Sequence, residues 1–506
     1  MGLYLTVFLT GAAVMVIELL GTRLIAPFYG ASLYVWSSLI SVTLMALAAG
    51  YFCGGRWADR SGSASLSLVV ALAGATTLAI PWITRPVLLA TDPLGLRLGA
   101  FVSALIMFSP ALVLLGMVGP FVVRLSTSRL DGVGASAGST YAVSTLGSVI
   151  GTLLLGFFLF PRIGSRSILI GLGILLLLLA VALAVGERRR LADARGTMRT
   201  GVGVALGVAV LTQVVGSEAA DATHTALRIR SEQESLYGWV RVLDDEAHDL
   251  RILATDASAI GAASISTGKS RLGYQEIVDL VPQLAPGMKR ALVIGLGAGH
   301  MATLLHDRHR IVTDTLEIDP AVSAAAHEWF GFRDTGVNVI GDARYEMRRL
   351  RGPYDLIIHD CFTGGSEPAH LLTEETLSHL HGLLAPHGML VLNFVALLRD
   401  GRDTALASVV RTVAEVFPRY RVFIAEPGRD FNDFIVLASD DPIDSRSPPL
   451  DAARSAWLRR REFPVDPDQG VLLTDDFNPL EHLQTAKAEQ YRRFVADWLG
   501  PKVLVR

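Results

Sequence analysis

The chain has 506 residues, 51% of them hydrophobic, with a mean hydropathy of +0.43 and a formal net charge of −3. That is too apolar for an ordinary soluble protein and too long for one domain. Residues 1–217 carry 14 Lys+Arg against 6 Asp+Glu, and residues 218–506 carry 31 against 42, so a membrane part with basic loops precedes an acidic soluble part. An acidic surface argues against nucleic acid as a partner and suits a cationic one; the alternative is that it serves solubility alone.

A membrane-spanning helix needs roughly 20 apolar residues. Six segments qualify, at 4–27, 32–53, 65–84, 99–124, 137–160 and 167–186. A seventh, 201–217, is short and glycine-rich. The first segment is too long for a signal peptide and has no basic run before it, so no cleaved leader is expected. Loop charge sets orientation. With the N-terminus inside, the inner loops hold Arg56, Arg60, Arg124, Arg129, Arg188, Arg189, Arg190, Arg195 and Arg199; the outer ones hold Arg23, Arg85, Arg97, Arg162 and Arg166. The bias favours a multi-pass protein of the cell membrane with a cytoplasmic N-terminus. Six spans return the acidic part to the cytoplasm and seven place it outside. A domain using a cytosolic co-substrate belongs inside, so 201–217 is expected to lie along the bilayer or only partly in it.

Glu18 and Arg23 interrupt the first span, where charge is costly and points to function or to a polar partner. Gly147 and Gly151 form a GxxxG pair that serves helix packing or dimerisation. The arginine run at 188–195 reads as an anchor at the lipid surface. "GGRWADRSG" (54–62) resembles a loop of major-facilitator transporters. That resemblance implies transport, but no internal repeat supplies the second set of spans. A transporter or sensor without chemistry therefore stays as an alternative, and a homodimer would supply the missing half.

The organisation expected is a helical membrane domain at 1–217, a small antiparallel β subdomain at 218–270, a Rossmann-like domain at 271–445, and an irregular C-terminal segment with a helix at 446–506. The period-two runs "TALRIRSEQ", "YGWVRVLDD" and "DLRILATDA" predict the small sheet. Strands are expected near 290–295, 312–318, 337–341, 354–359, 388–394, 420–426 and 433–439, alternating with helices. That alternation predicts a doubly wound parallel sheet, in which ligands bind at the carboxyl ends of the strands.

The first of these strands runs into Gly295-Leu296-Gly297-Ala298-Gly299, glycines that permit a tight turn and close approach of a ligand. The spacing is GxGxG and so misses the dinucleotide fingerprint by one residue. The second ends in Glu317, placed for ribose hydroxyls; the third in Asp342, placed for an adenine amino group; the fourth in Asp360. Glycines also make plain turns, and a strand-end Asp also caps helices. Four such ends in order, at the spacing of successive βα units, point to an adenosine-type ligand.

Cys53 and Cys361 lie far apart with no ligand spacing, and the histidines form no metal motif. Neither a disulfide framework nor a metal is expected.

"ESLYG" (234–238), "GYQE" (273–276), "GLGAG", "LEID" (316–319), "GDA" (341–343) and "YDLIIHD" (354–360) together resemble spermidine synthases. These polyamine aminopropyltransferases share the class I S-adenosylmethionine-dependent methyltransferase fold. With "LLTDDFNPLEHL" (472–483), the whole chain resembles a bacterial group of fused transporter-like/spermidine synthase-like membrane proteins. The resemblance implies aminopropyl transfer from decarboxylated S-adenosylmethionine to a polyamine such as putrescine. It makes Asp360 the proton acceptor and Tyr274 a second catalytic residue, sets Tyr237, Tyr274 and Gln275 along the substrate cleft, with Gln275 toward the donor and Tyr237 toward the acceptor, and allows Asp475, Asp476 and Glu481 as acidic walls. That trio reads equally as capping and solvent-exposed charge.

The chain departs from the family in two places. Where the family carries an acidic residue in the glycine loop, this chain has Ala298, and the second Asp expected after Asp360 is missing from Asp360-Cys361-Phe362-Thr363-Gly364. Intact S-adenosylmethionine, whose tail keeps a carboxylate, tolerates Ala298 better. Methyl transfer, or another S-adenosylmethionine reaction, is therefore the competing expectation.

Overall fold

The computed structural model describes residues 2–30, 33–60, 66–127, 132–190, 227–362, 365–446 and 450–500. It divides into two units: Met1–Thr225 with Leu499–Arg506, and Ala226–Trp498. The stretch 201–217 and the arginines 195 and 199 lie outside the described residues.

The first unit is helical: α1 (Gly2–Tyr29), α2 (Leu33–Arg60), α3 (Leu66–Thr91), α4 (Gly95–Ser126), α5 (Val133–Leu154) and α6 (Ser165–Arg190). Among the described residues, five helical runs are long and apolar enough to cross a membrane. The run Leu66–Ser126 is 61 residues long and contains both α3 and α4, joined by a single 3₁₀ turn at Asp92–Leu94. Five prolines sit inside these helices, at positions 27, 81, 86, 110 and 120, as apolar spans tolerate. Small residues let the helices close on one another. A Cβ on Gly147 would lie 2.0 Å from the Phe8 carbonyl oxygen, and one on Gly151 would lie 2.9 Å from Ala12. The GxxxG pair thus packs α5 onto α1 within one chain. Arg23 sits 4.6 Å from the centre of the Phe160 ring. On α5 and the π turn after it, Leu146, Val149, Ile150, Leu153, Phe157 and Phe158 are exposed, a surface suited to lipid.

The second unit contains two sheets. The smaller is antiparallel, in the order β1 (Arg228–Glu234), β2 (Trp239–Asp245), β3 (Leu250–Thr255), β4 (Ser258–Ala263). β4, "SAIGAA", is too small and featureless to read as a strand in isolation; it forms because β3 offers it an edge.

The larger sheet has the order β10-β11-β9-β8-β5-β6-β7, with β5 (Arg290–Ile294), β6 (Val312–Glu317), β7 (Asn338–Ile340), β8 (Tyr354–His359), β9 (Leu384–Leu397), β10 (Arg419–Ile424) and β11 (Phe431–Ser439). β5 to β9 are parallel, whereas β11 runs antiparallel to both β9 and β10. The expected all-parallel sheet fails here for a simple reason. Only residues 425–430 separate β10 from β11, which suffices for a hairpin and is too short for a crossover.

Helices cover both faces. α10 (Ala343–Glu346), α11 (Glu374–Leu383) and α12 (Thr404–Val416) belong to one apolar core. α7 (Gln275–Leu284), α8 (His300–His309) and α13 (Ala452–Arg459) belong to the other. α9 (Pro320–Trp329) packs with the small sheet. α13 falls in a region read from sequence as irregular; Asp451 caps it and Leu458 anchors it in the core. The chain ends its described part with α14 (Leu480–Leu483) and α15 (Thr485–Leu499). This strand order, with its one reversed strand, is the Rossmann-like class I methyltransferase arrangement that the family resemblance implied.

Candidate active site

The glycine loop is built by close approach. Gly295, Gly297 and Gly299 have φ of 90°, 52° and 76°, the left-handed region that side chains resist. A Cβ would lie 2.1 Å from the Asp360 carbonyl oxygen at Gly295, 2.7 Å from the Ile260 carbonyl oxygen at Gly297, and 2.5 Å from the Phe332 ring at Gly299. Ala298 does not face the sheet's carboxyl edge freely. It is buried in the cluster formed by β2, β3 and α9, and its Cβ is 2.6 Å from where a Cβ on Gly261 of β4 would stand.

Glu317, at the end of β6, is 7% exposed. Its Oε2 accepts from the Leu296 amide at 3.0 Å and its Oε1 from the Asp319 amide at 2.9 Å. A carboxylate has about four acceptor positions, so capacity remains for hydroxyl donors. Burial pushes its pKa up, opposed by those amides. Asp342 stands at the start of α10, where its Oδ1 accepts from the Tyr345 amide at 3.0 Å, a helix cap.

Past β8 the environment changes. Tyr274, just before α7, donates its hydroxyl to Asp360 Oδ2 at 2.7 Å, and Asn393 of β9 donates Nδ2 to Asp360 Oδ1 at 2.8 Å. Burial pushes Asp360 up, opposed by these two donors. Burial also pushes the Tyr274 phenol far above its usual value, reinforced by Asp360 and Asp433. The buried side-chain oxygens of Gln275 and Asn393, both residues under a tenth exposed, accept from no donor among the described residues. An orphaned buried acceptor is costly, and two of them, one on Asn393 against Asp360 and one on Gln275 next to Tyr274, fit a ligand that brings N–H groups. Burial holds the Cys361 thiol well above its usual range, which disfavours the thiolate form.

Two carboxylates in this neighbourhood were not singled out from sequence. Asp433, near the start of β11, is 3.4 Å from Asn393 Nδ2, and burial, then the charge of Asp360, push it up to about 7. Glu367 is paired with Lys487 of α15, and both are almost fully buried. Lys487 also donates to the Val395 carbonyl at 2.7 Å and lies 4.6 Å from the centre of the Phe394 ring. The available signal was position: once β11 reverses, its first residues share the carboxyl edge of the parallel strands.

The outlying candidates sit elsewhere. Tyr237, in the turn between β1 and β2, is 46% exposed. The Asp475 carboxylate accepts from Thr373 Oγ1 at 2.8 Å and pairs with Arg344. It fastens the segment before α14 to α11 and α10 instead of lining an acidic cleft. Asp476 is exposed. Asp475 is thus paired with Arg344, as Glu367 is with Lys487, whereas no ion pair joins Asp433 to a cation among the described residues.

No protein-family model matches the chain. Among curated proteins, the N-terminal histidine N-methyltransferase of Emericella nidulans is 33% identical over 268 residues, 46% of this chain and 47% of that protein. The polyamine aminopropyltransferase of Vibrio vulnificus is 40% identical over 115 residues, 21% of this chain and 38% of that protein. The human eEF1A lysine and N-terminal methyltransferase is 31% identical over 143 residues, 25% of this chain and 20% of that protein. The chain thus spans less than half the length of each of these relatives. They are all transferases: methyltransferases and a polyamine aminopropyltransferase. Among solved structures, a probable spermidine synthase from Corynebacterium glutamicum aligns over 46% of this chain and 85% of its own, at 22% identity and a TM-score of 0.37. At that score the fold assignment rests on the strand order itself.

Proposed function

We propose that the protein is a membrane-anchored S-adenosylmethionine-dependent transferase that methylates an amine. The observation that carries this reading is the pairing of a desolvated base, Asp360 held by Tyr274 and Asn393, with a glycine loop whose two side chains, Leu296 and Ala298, are apolar and buried, Ala298 against Gly261. An aminopropyl donor has a cationic tail, and this loop offers it no carboxylate. The methyltransferase relatives support the same choice.

S-adenosylmethionine supplies a sulfonium-bound methyl that needs little beyond in-line positioning. The chain's residues do the rest. Glu317 and the glycine turn hold the nucleoside part. Asp360 takes the proton from the acceptor ammonium, and the freed nitrogen lone pair forms the new N–C bond while the C–S electrons stay on sulfur. The runner-up is aminopropyl transfer to a polyamine, favoured by the Tyr274–Asp360 pair and by the aminopropyltransferase relative.

The helical unit lies in the cell membrane in this reading, with the second unit cytoplasmic. Labelling of single cysteines introduced into the second unit tests that sidedness.

The deciding experiment incubates purified full-length protein with each donor and a panel of amines, followed by mass spectrometry. S-adenosylhomocysteine release with a methylated amine supports the proposal. Methylthioadenosine release moves the assignment to aminopropyl transfer. Binding without turnover reduces the unit to a sensor or transporter module.

A further inference from the structure

Asp433 has no part in the reading above, yet it is recessed beside the base. It reaches the carboxyl edge only because β11 runs backwards. Asn393 Nδ2 lies 2.8 Å from Asp360 and 3.4 Å from Asp433, so one amide bridges two carboxylates. With both carboxylates ionised the amide must turn its nitrogen toward them, since its oxygen there would set acceptor against acceptor. Its oxygen, in a side chain 7% exposed, is left without a donor among the described residues. The acidic pair therefore has an orphaned acceptor at its side, waiting on a donor from outside the protein.

Charges face Asp433 from every neighbouring element. Asp360 follows β8, Tyr274 precedes α7, and Glu426 lies in the β10–β11 turn. Glu367 follows β8 as well, and Lys487 and Tyr491 come from α15. Lys487 is committed to Glu367 and to a carbonyl. It therefore leaves Asp360 and Asp433 as two carboxylates with no cation bonded to either among the described residues.

We propose that Asp433 is a positioning residue for the transfer reaction, acting through Asn393 and the field it exerts on Asp360 to set when Asp360 can take a proton from an acceptor ammonium. This rests on the transferase reading and deepens it. With Asp433 ionised, Asp360 is a stronger base and the pair attracts a cation. With Asp433 protonated, Asp360 faces one charge fewer and weakens on both counts. The two groups titrate as a pair, and the upward shift of Asp433 to about 7 puts that change near neutral pH.

The test needs no acceptor. Full-length protein in detergent is titrated from about pH 5 to 9 by infrared difference spectroscopy of carboxyl groups, as wild type, Asp433→Asn and Asp360→Asn. The wild type should show a carboxylic acid ionising near neutral pH. Asp433→Asn should lose that step and move the remaining one down by about one pH unit or more. Methylammonium, used as the amine probe, should bind wild type about tenfold more tightly at pH 8 than at pH 6, and Asp433→Asn should lose that dependence. A near-neutral step that survives in Asp433→Asn overturns the proposal, as does unchanged methylammonium binding. Asp433→Ser, with melting curves for each variant, guards against a folding defect in the amide variant. Absence of any product from either donor would sink the transferase reading while leaving the infrared result to be judged separately.

Discussion

The two halves of the sheet's carboxyl edge are made differently. On the β5–β6 side, recognition is mostly backbone: three glycines in left-handed conformations, amides held by Glu317, and a helix cap at Asp342. On the β8–β9–β11 side, it is charge: Asp360, Asp433 and Glu367, with one buried cation, Lys487, held by Glu367. In the proposed reading the first half holds the adenosine part of the donor, and the second, costly to bury, takes the amine and its proton. A donor site can be generic; an acceptor site that must remove a proton cannot.

The sharpest way to break this contrast is to remove Lys487. Lys487→Met leaves Glu367 buried and unpaired, and should destabilise the fold by about 3–5 kcal/mol, read as a fall in melting temperature. A loss under about 1 kcal/mol would mean the pair is not structural. The stability of the second half should also depend on pH. Asp433 is raised toward about 7 by burial and by Asp360, so the folded state keeps a proton that the unfolded chain releases near pH 4. Its contribution is fully present below about pH 4 and is lost as pH rises to about 7, on the order of 2–4 kcal/mol in all. Melting curves of wild type and Asp433→Asn across that window should converge at low pH and diverge above it.

Chemistry should be confined to the same half. Asp360→Asn should cut turnover by about 10²-fold or more while donor affinity stays close to wild type. Unchanged turnover would remove Asp360 from the reaction. Glu317→Gln should do the reverse, weakening donor binding by about 1–2 kcal/mol through poorer acceptance of hydroxyl donors, measured by calorimetry. Smallest of all, Asp475→Asn should cost under about 1 kcal/mol of stability, as partly exposed ion pairs do. It should leave the acceptor KM unchanged; a raised KM would return Asp475 to the acidic wall first expected of it.

How much of this was legible beforehand follows from how local each feature is. Glycines followed by a helix, and carboxylates at the ends of apolar runs, are local patterns, and Gly295, Gly297, Gly299, Glu317 and Asp360 could be read as strand-end groups from spacing alone. The Tyr274–Asp360 contact spans 86 residues of sequence. Family resemblance named both residues, but only the fold put them in contact. Asp433 was invisible because its run reads as one more buried strand. Nothing in "FNDFIVLAS" says which end of the sheet it starts from. Lys487 was hidden inside a helix whose exposed charges outnumber it.

The amino-acid order determined the long apolar helices, the alternation of strands and helices, and the placement of the glycine turn and its carboxylates, because each depends on periodicity or on neighbours within one βα unit. Tertiary structure decided the rest. The reversal of β11 brings Asp433 to Asp360, the close packing of Gly261 makes Ala298 a structural residue, and the ion pair with Arg344 withdraws Asp475. The physical reason is common to all three: burial and charge partners are set by chain segments far apart in sequence, and only folding gives them a distance.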